Sequence, residues 1–296
     1  MSQTKVMSPS APPREASPSL LQSWLRFEQG ILGAISIIAV LLIWQGLSTG
    51  VFAEWLRPVV GDHIAARLWI KPIFISSPTR VVAKTGEMMQ SGELWEHLSA
   101  SGLSFILGSA IAIVVGIPLG LAMGWYRKLR YAVEPFLLAY NATPQVVFIP
   151  LLIIWTGTGL ATRVLIIATV TFVPLTMNAW AAVKTADPRL LKVAKSFGSS
   201  DYQRFRDIIV PTSIPFLLSG LRLAIGRAMV GVVVGEIYAA TSGIGYLINV
   251  AGSSFQTDRV FVGIAMIALF GLLLTALINS VEKRYARWRP KLGASK

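Results

Sequence analysis

Long apolar runs separated by short charged segments are the dominant pattern along this chain. A bilayer core is about 30 Å thick, so a helix that crosses it needs roughly 20 mostly apolar residues. Six runs are near or above this length, at about residues 30–48, 100–124, 133–156, 161–183, 215–240 and 260–281. Pro118, Pro144, Pro150 and Pro174 fall inside them, and in a membrane bundle neighbouring helices can satisfy the backbone groups that a proline frees. The pattern predicts an all-α fold, a polytopic membrane bundle of six helices that spans residues 30–281.

The segment between the fourth and fifth runs, residues 184–213, is charged instead of apolar. A Lys or Arg at a bilayer centre costs about 2.5–3.5 kcal/mol on insertion scales, so a segment with several of them is not expected to span. Asp187 and Pro188 together predict a helix start. Gly198 suits the left-handed turn that ends a helix. A first short helix is therefore predicted between these residues.

A second short helix is predicted directly after the first. Ser200 and Gln203 have the spacing of a capping box, which opens a helix, and Pro211 is expected to end it. Both helices combine an apolar face with a charged rim. This shape is suited to docking in a groove of another protein.

Charge indicates the orientation of the chain. The sequence is 54% hydrophobic and 14% charged, with a net charge of +13. Its Lys and Arg side chains cluster beside the apolar runs, as the positive-inside rule describes, which argues against nucleic-acid binding. The most basic segments follow the second, fourth and sixth runs. We therefore expect both termini and residues 184–213 in the cytoplasm, with residues 1–29 as a disordered tail and residues 282–296 as a basic tail.

The segment at residues 49–96 is expected on the opposite side of the membrane. Ser77 and Pro78 predict a helix start, and Ser91 and Gly92 predict a break before the second run. The helix between them is amphipathic, so it is expected to lie on the membrane surface or to form a packed connector.

The charged segment resembles the cytoplasmic loop of ATP-binding cassette (ABC) importer permeases, which has the pattern E-A-A, three residues, G, nine residues, I-x-L-P. Ala194, Gly198, Ile208 and Pro211 match it in phase. The likeness continues from about residue 116 to 289 in GIPLGLAMG, DPRLLKVAKSFGSS, GLRLAIGRA and SGIGYLI, and it is closest to the nitrate/sulfonate/taurine/bicarbonate branch. Three positions depart from the pattern, with Lys192 for the glutamate, Val193 for the first alanine and Val210 for the leucine.

The resemblance implies a permease subunit, not an enzyme, in a bacterial inner membrane, which moves a small and anionic solute. Its partners would be a second copy of the chain, two ATPase subunits that bind ATP and magnesium, and a periplasmic or extracellular solute-binding protein. No cofactor or metal is expected in the chain itself. Lys192 reverses a charge that would face the ATPase, so either the partner compensates or the contact is dispensable. The residues expected to couple to the ATPase are Leu191, Lys192, Val193, Ala194, Lys195, Phe197, Gly198, Tyr202, Ile208 and Pro211.

Polar residues inside the runs are candidates for the translocation pathway, because such groups are expensive in lipid and usually face an interior or an aqueous path. The candidates are Asn141, Gln145, Asn178 and Glu236. Hydrogen bonds between helices are the alternative, and for Glu236 a bond to the turn at residues 241–246. Arg222 and Arg227 could extend to the interface, pair with the charged loop or contact an anionic solute.

Small residues recur every four positions in the second run, at Gly108, Ala112, Gly116, Gly120 and Gly124, and in the fifth run, at Gly220, Ala224 and Ala228. This spacing predicts close helix packing.

Two other classes of function are weighed against a permease. A stand-alone secondary transporter or channel commonly shows inverted repeats, and the sequence shows no internal repeat. A membrane-embedded enzyme would need clustered Asp, Glu or His residues, and His63 and His97 do not have a ligand spacing. The chain has no cysteine, which excludes disulfides and thiolate chemistry.

Overall fold

A computed structural model describes residues 20–285, and its regular structure is helical throughout this range. The all-α prediction is therefore confirmed. Among the described residues, five helices are long and apolar enough to cross a membrane, and a bent pair of helices raises the number to six if it counts as one span. The chain divides into two compact units, the first ending at Lys71 and the second beginning at Pro72.

The first unit holds helix α1 (Leu20–Thr49) and helix α2 (Val51–Leu68), which is broken at Gly61. Residues Gly30–Thr49 of α1 are apolar enough to span a membrane, as predicted. The disordered tail predicted for residues 1–29 is wrong for residues 20–29, because LLQSWLRFEQ carries apolar residues at helical spacing and continues into the span as one helix. Residues 1–19 lie outside the described range, as do the last eleven residues of the predicted basic tail.

The second unit contains the remaining helices. They are α3 (Pro72–Ile75), α4 (Pro78–Gln90), α5 (Glu93–Trp125), α6 (Arg127–Ala142), α7 (Ile149–Thr156), α8 (Leu160–Val183), α9 (Pro188–Ser196), α10 (Asp201–Arg204), α11 (Val210–Ala239), α12 (Ile244–Ser253) and α13 (Thr257–Tyr285). Helix α8 is the central element and packs between α5 and α11, while α12 and α13 pack against α11.

Glycines on one face of α5 let this helix approach α8 closely. A β-carbon added at Gly108 would lie 2.6 Å from the β-carbon of Ile167, and one added at Gly124 would lie 2.5 Å from that of Val183. Real β-carbons do not come so close, so larger residues here would push the two helices apart. The packing role predicted for the small residues at four-residue spacing is confirmed.

The third apolar run is not the continuous helix predicted for residues 133–156. Helix α6 ends at Ala142, a 3₁₀ turn follows at Gln145–Phe148, and the chain is bent by 97° before it continues in α7. The cause is Pro144, which forces the residue before it out of the helical region. Thr143 is accordingly extended, at φ −89° and ψ 132°.

The predicted helix after Ser77 is present as α4, and the side chain of Ser77 accepts a hydrogen bond from the Arg80 amide at 3.4 Å. The break at Gly92 is also present, at φ +80°. Helix α5 begins directly afterwards at Glu93, seven residues before the predicted span, and two acidic residues in its first turn favour this start.

Candidate functional site

The coupling segment, residues 184–213, begins with the capped helix that the sequence predicts. The side chain of Asp187 accepts a hydrogen bond from the Arg189 amide at 2.8 Å, and Pro188 occupies the first turn of α9. Gly198 follows at φ +79°, and the Ser199 amide donates to the Ala194 carbonyl at 3.1 Å. The chain therefore turns sharply at a glycine, where a side chain would be strained.

The second helix opens with the predicted capping box. The Gln203 amide donates to the Ser200 hydroxyl at 3.2 Å, and the Ser200 amide donates to the Gln203 side chain at 2.8 Å. Contrary to the prediction, the second helix does not end at Pro211. Residues Phe205–Ile209 form a π-helical turn and the helix continues into α11. Pro211 lies in the first turn of α11, where the missing amide hydrogen is tolerated because the preceding turn has changed register.

The coupling segment has an inner face that attaches it to the bundle. Ile209 is 1% exposed, and Leu191 and Phe205 pack with it against Ala179 and Val183 of α8. The ring of Phe205 also contacts Trp125 at the end of α5, with 5.9 Å between ring centroids. The segment is therefore anchored to α5, α8 and α11 together.

Its outer face presents apolar side chains over which none of the described residues packs. Phe197 is 88% exposed and Tyr202 is 67% exposed, and Leu190 and Val193 of α9 are also more than half exposed. Such a cluster at the turn between two helices is typical of a surface that another protein covers.

The structure places the ten predicted coupling residues in two groups. Six are exposed, namely Lys192, Val193, Lys195, Phe197, Gly198 and Tyr202. Four are half-buried, namely Leu191, Ala194, Ile208 and Pro211. Within the range that the structure describes, Lys192 and Lys195 form no ion pair. Their contact with an ATPase stays a prediction.

A polar cluster lies at the other end of α11, around the turn at residues 240–243. Glu236 is completely buried, and its Oε2 atom accepts a hydrogen bond from the Gly245 amide at 2.7 Å. Its Oε1 atom lies 3.9 Å from Nη1 of Arg163, which donates to the Ser242 carbonyl at 3.1 Å. The hydrogen bond to the 241–246 turn, weighed against a pathway role for Glu236, is confirmed.

Helix α5 supplies the other half of the polar cluster. Nδ1 of His97 accepts a hydrogen bond from the Gly243 amide at 3.1 Å, and the Ser101 hydroxyl accepts one from the Ile244 amide at 2.8 Å. Three successive amides at the start of α12 are thus satisfied by side chains of α5 and α11. Sequence reasoning missed this use of His97 and also the role of Arg163, which is buried in the first turn of α8.

The remaining pathway candidates do not share one location. Gln145 lines a cavity of about 260 Å³ that also touches Thr169 and Arg227. Asn141 is exposed at the end of α6. The Asn178 side chain donates a hydrogen bond to the Pro174 carbonyl at 2.8 Å. A β-carbon added at Gly220 would lie 2.7 Å from the β-carbon of Asn178, so Asn178 lies where α8 packs against α11.

Arg222 forms an ion pair with Glu282 on α13 and not with the charged loop, which was one of the alternatives weighed for it. Both side chains lie near the same end of the bundle, and the acidic partner on the adjacent helix satisfies the charge there. No group of three or more His, Cys, Asp or Glu side chains that could hold a metal occurs among the residues searched within 20–285.

Comparisons with known proteins show which family and which relatives this chain is similar to. A family model described as "Binding-protein-dependent transport system inner membrane component" matches residues 112–287. The taurine transport system permease protein TauC of Escherichia coli (strain K12) is 33% identical over 247 residues, which cover 82% of this chain and 89% of TauC. The riboflavin transport system permease protein RibX of Chloroflexus aurantiacus is 31% identical over 284 residues, which cover 95% of this chain and 99% of RibX.

A solved structure shows the same fold. It is an inward-facing conformation of the MetNI methionine ABC transporter, with a TM-score of 0.56 at 16% identity, and the match covers 67% of this chain and 98% of the solved chain.

Proposed function

This chain belongs to the family of binding-protein-dependent transport system inner membrane components, and we propose that it is driven by separate ATPase subunits that dock on the coupling segment. The chain is a multi-pass membrane permease of the ABC importer class and is not itself an enzyme. ATP and magnesium are held by the ATPase, so the chemical step takes place outside this chain.

The observation that carries the proposal is the outer face of the coupling segment. Exposed Phe197 and Tyr202 form an apolar contact surface, while Leu191 and Phe205 attach the same segment to the bundle from the inside. Residues Asp201–Ala239 form one continuous helical path from this surface into the membrane. Because no flexible joint interrupts this helix, a displacement of the docked ATPase would be transmitted directly to the membrane helices.

Membership of the family supports the proposed assembly. Two copies of the chain meet two ATPase subunits on the cytoplasmic side, where the coupling segment and both termini lie. A solute-binding protein delivers the solute to the opposite side, and the path runs between the two copies in the bacterial inner membrane. The proposed solute is a small anion of the sulfonate class, in keeping with the taurine named for TauC.

Co-purification tests the proposal. An ATPase subunit of the native host should be recovered with tagged wild-type protein and lost with Phe197→Glu, because a carboxylate would have to be buried in the apolar contact. Phe74→Glu is a matched control, since Phe74 is a 66% exposed phenylalanine in α3, far from the coupling segment in sequence. Retention of the ATPase by Phe197→Glu, or equal loss in both variants, would contradict the proposal.

A further inference from the structure

One arginine of the bundle, Arg227, has no partner among the residues that the structure describes. Arg227 lies 17 residues after the start of α11 and 12 residues before its end, about 26 Å and 18 Å along the axis. It is exposed on the surface of the chain, and it forms no ion pair or hydrogen bond with any side chain or backbone group of residues 20–285. Arg222, on the same helix, is neutralised by Glu282. A charged group at this depth does not face lipid unpaired, so it faces water, a ligand or another subunit.

The surroundings of Arg227 favour a negatively charged ligand. The cavity of about 260 Å³ beside it is lined mainly by apolar residues, with Gln145 and Thr169 as the other polar ones, and no carboxylate lines it. The Thr169 hydroxyl already donates to the Leu165 carbonyl at 2.9 Å. The hydrogen-bond donors left for a ligand are therefore the guanidinium group of Arg227 and the side-chain amide of Gln145.

We propose that Arg227 and Gln145 form an intramembrane contact site for a small oxyanion of the sulfonate or carboxylate class. A guanidinium group binds two oxygens of such an anion at once, and the apolar wall accommodates a short alkyl chain. The cavity is smaller than the roughly 300–1,000 Å³ typical of sites for drug-sized ligands, which fits a small solute. The proposal rests on the proposed function in one respect, because the second permease copy would complete the wall of the cavity.

The native absence of cysteine allows a direct test in the full-length chain. Val230 lines the same cavity, and Val230→Cys is treated with two thiol reagents of equal reactive group, sulfonatoethyl methanethiosulfonate and trimethylammonioethyl methanethiosulfonate. The anionic reagent should be favoured over the cationic one, and this ratio should fall about tenfold or more when Arg227→Gln is added. Arg227→Lys, which keeps the charge, should keep most of the preference.

A matched cysteine on the same helix controls for general effects. Tyr238 is exposed and lies 11 residues beyond Arg227, about 16 Å along the axis. This distance exceeds the screening length of roughly 8–10 Å at ordinary salt. In Tyr238→Cys, the ratio of the two rates should therefore change little when Arg227→Gln is added.

Competition separates a solute site from a lipid contact. Ethanesulfonate should slow modification of Val230→Cys in the presence of Arg227 and have no effect with Arg227→Gln. The proposed site would be contradicted if the ratio of the two modification rates were the same with Arg227 and with Arg227→Gln. It would also be contradicted if anionic lipid vesicles, but not ethanesulfonate, protected Val230→Cys from modification. Neither result involves the ATPase, so co-purification through the coupling segment distinguishes failure of this site from failure of the proposed function.

Discussion

The two ends of helix α11 differ in the kind of side chain that they expose and bury. At its start, the coupling segment exposes apolar side chains such as Phe197 that no residue within 20–285 covers. At its end, the polar cluster buries Glu236 and Arg163 and satisfies the amides of the following turn. Exposed apolar groups indicate a surface completed by a partner, whereas buried and bonded polar groups hold the chain in one geometry. Changes at the first end should affect assembly, and changes at the second should affect stability.

The largest effect is expected at the polar cluster. Glu236→Ala leaves Arg163 buried without its nearest carboxylate and the Gly245 amide without its acceptor. The free energy of unfolding should fall by about 3–5 kcal/mol, as for other buried pairs that lose one member. Thermal unfolding of the purified protein in detergent measures the loss. Glu236→Gln keeps an acceptor for the amide and should lose less, and an alanine variant as stable as wild type would contradict this account of the cluster.

The coupling segment should show the reverse behaviour. Phe197→Ala removes an exposed ring, so the free energy of unfolding should change by no more than about 0.5 kcal/mol. Affinity for the ATPase should fall by about 2 kcal/mol or more, which is roughly 30-fold, if the ring is a central contact. Titration of the purified ATPase measures the affinity and thermal unfolding measures the stability. Loss of stability with unchanged affinity would assign the ring to the fold instead of the interface.

Gly198 connects fold and assembly, because its φ of +79° sets the angle between the two helices of the coupling segment. A β-carbon there would meet no atom within 4 Å, so Gly198→Ala acts through the backbone alone. It should cost about 1–2 kcal/mol of stability and weaken ATPase binding. Gly102→Ala is the matched control, since Gly102 is helical with equally open space and should not be destabilised. Equal stability of the two variants would show that the left-handed turn is unimportant.

The smallest effect is expected at Lys192, which stands where the family has glutamate. The side chain is exposed, so Lys192→Glu should leave thermal unfolding unchanged. If the partner ATPase compensates for the lysine, binding should weaken by less than about fivefold, the range of an exposed ion pair. Affinity measured at low and high salt distinguishes a lost ion pair from a dispensable contact, because only the former depends on ionic strength.

Local chemistry explains which features could be predicted. The cap at Asp187, the left-handed turn at Gly198 and the capping box at Ser200 depend on residues a few positions apart, so the coupling segment was predicted in detail. The effects of two prolines on the helices were predicted wrongly. Pro144 was expected to be tolerated inside a span but bends the chain, whereas Pro211 was expected to end a helix but follows a π-helical turn that lets the helix continue.

The tertiary contacts could not be predicted from the sequence. Arg163 and Glu236 are 73 positions apart, and no local pattern links them or brings His97 to the turn that follows α11. The unusual charge of Glu236 within an apolar run indicated a special environment, but not which partners it has. The cavity at Arg227 depends on the bend at Pro144, which places Gln145 beside α8 and α11.

Photo-cross-linking in native membranes tests the central claim most directly. A photoreactive phenylalanine analogue is placed at Phe197 in one sample and at Phe74 in another, both exposed phenylalanines of the second unit. After illumination, the account predicts a covalent product with an ATPase subunit from position 197 and none from position 74. The account would be contradicted if position 197 formed no ATPase product, or if both positions formed it equally.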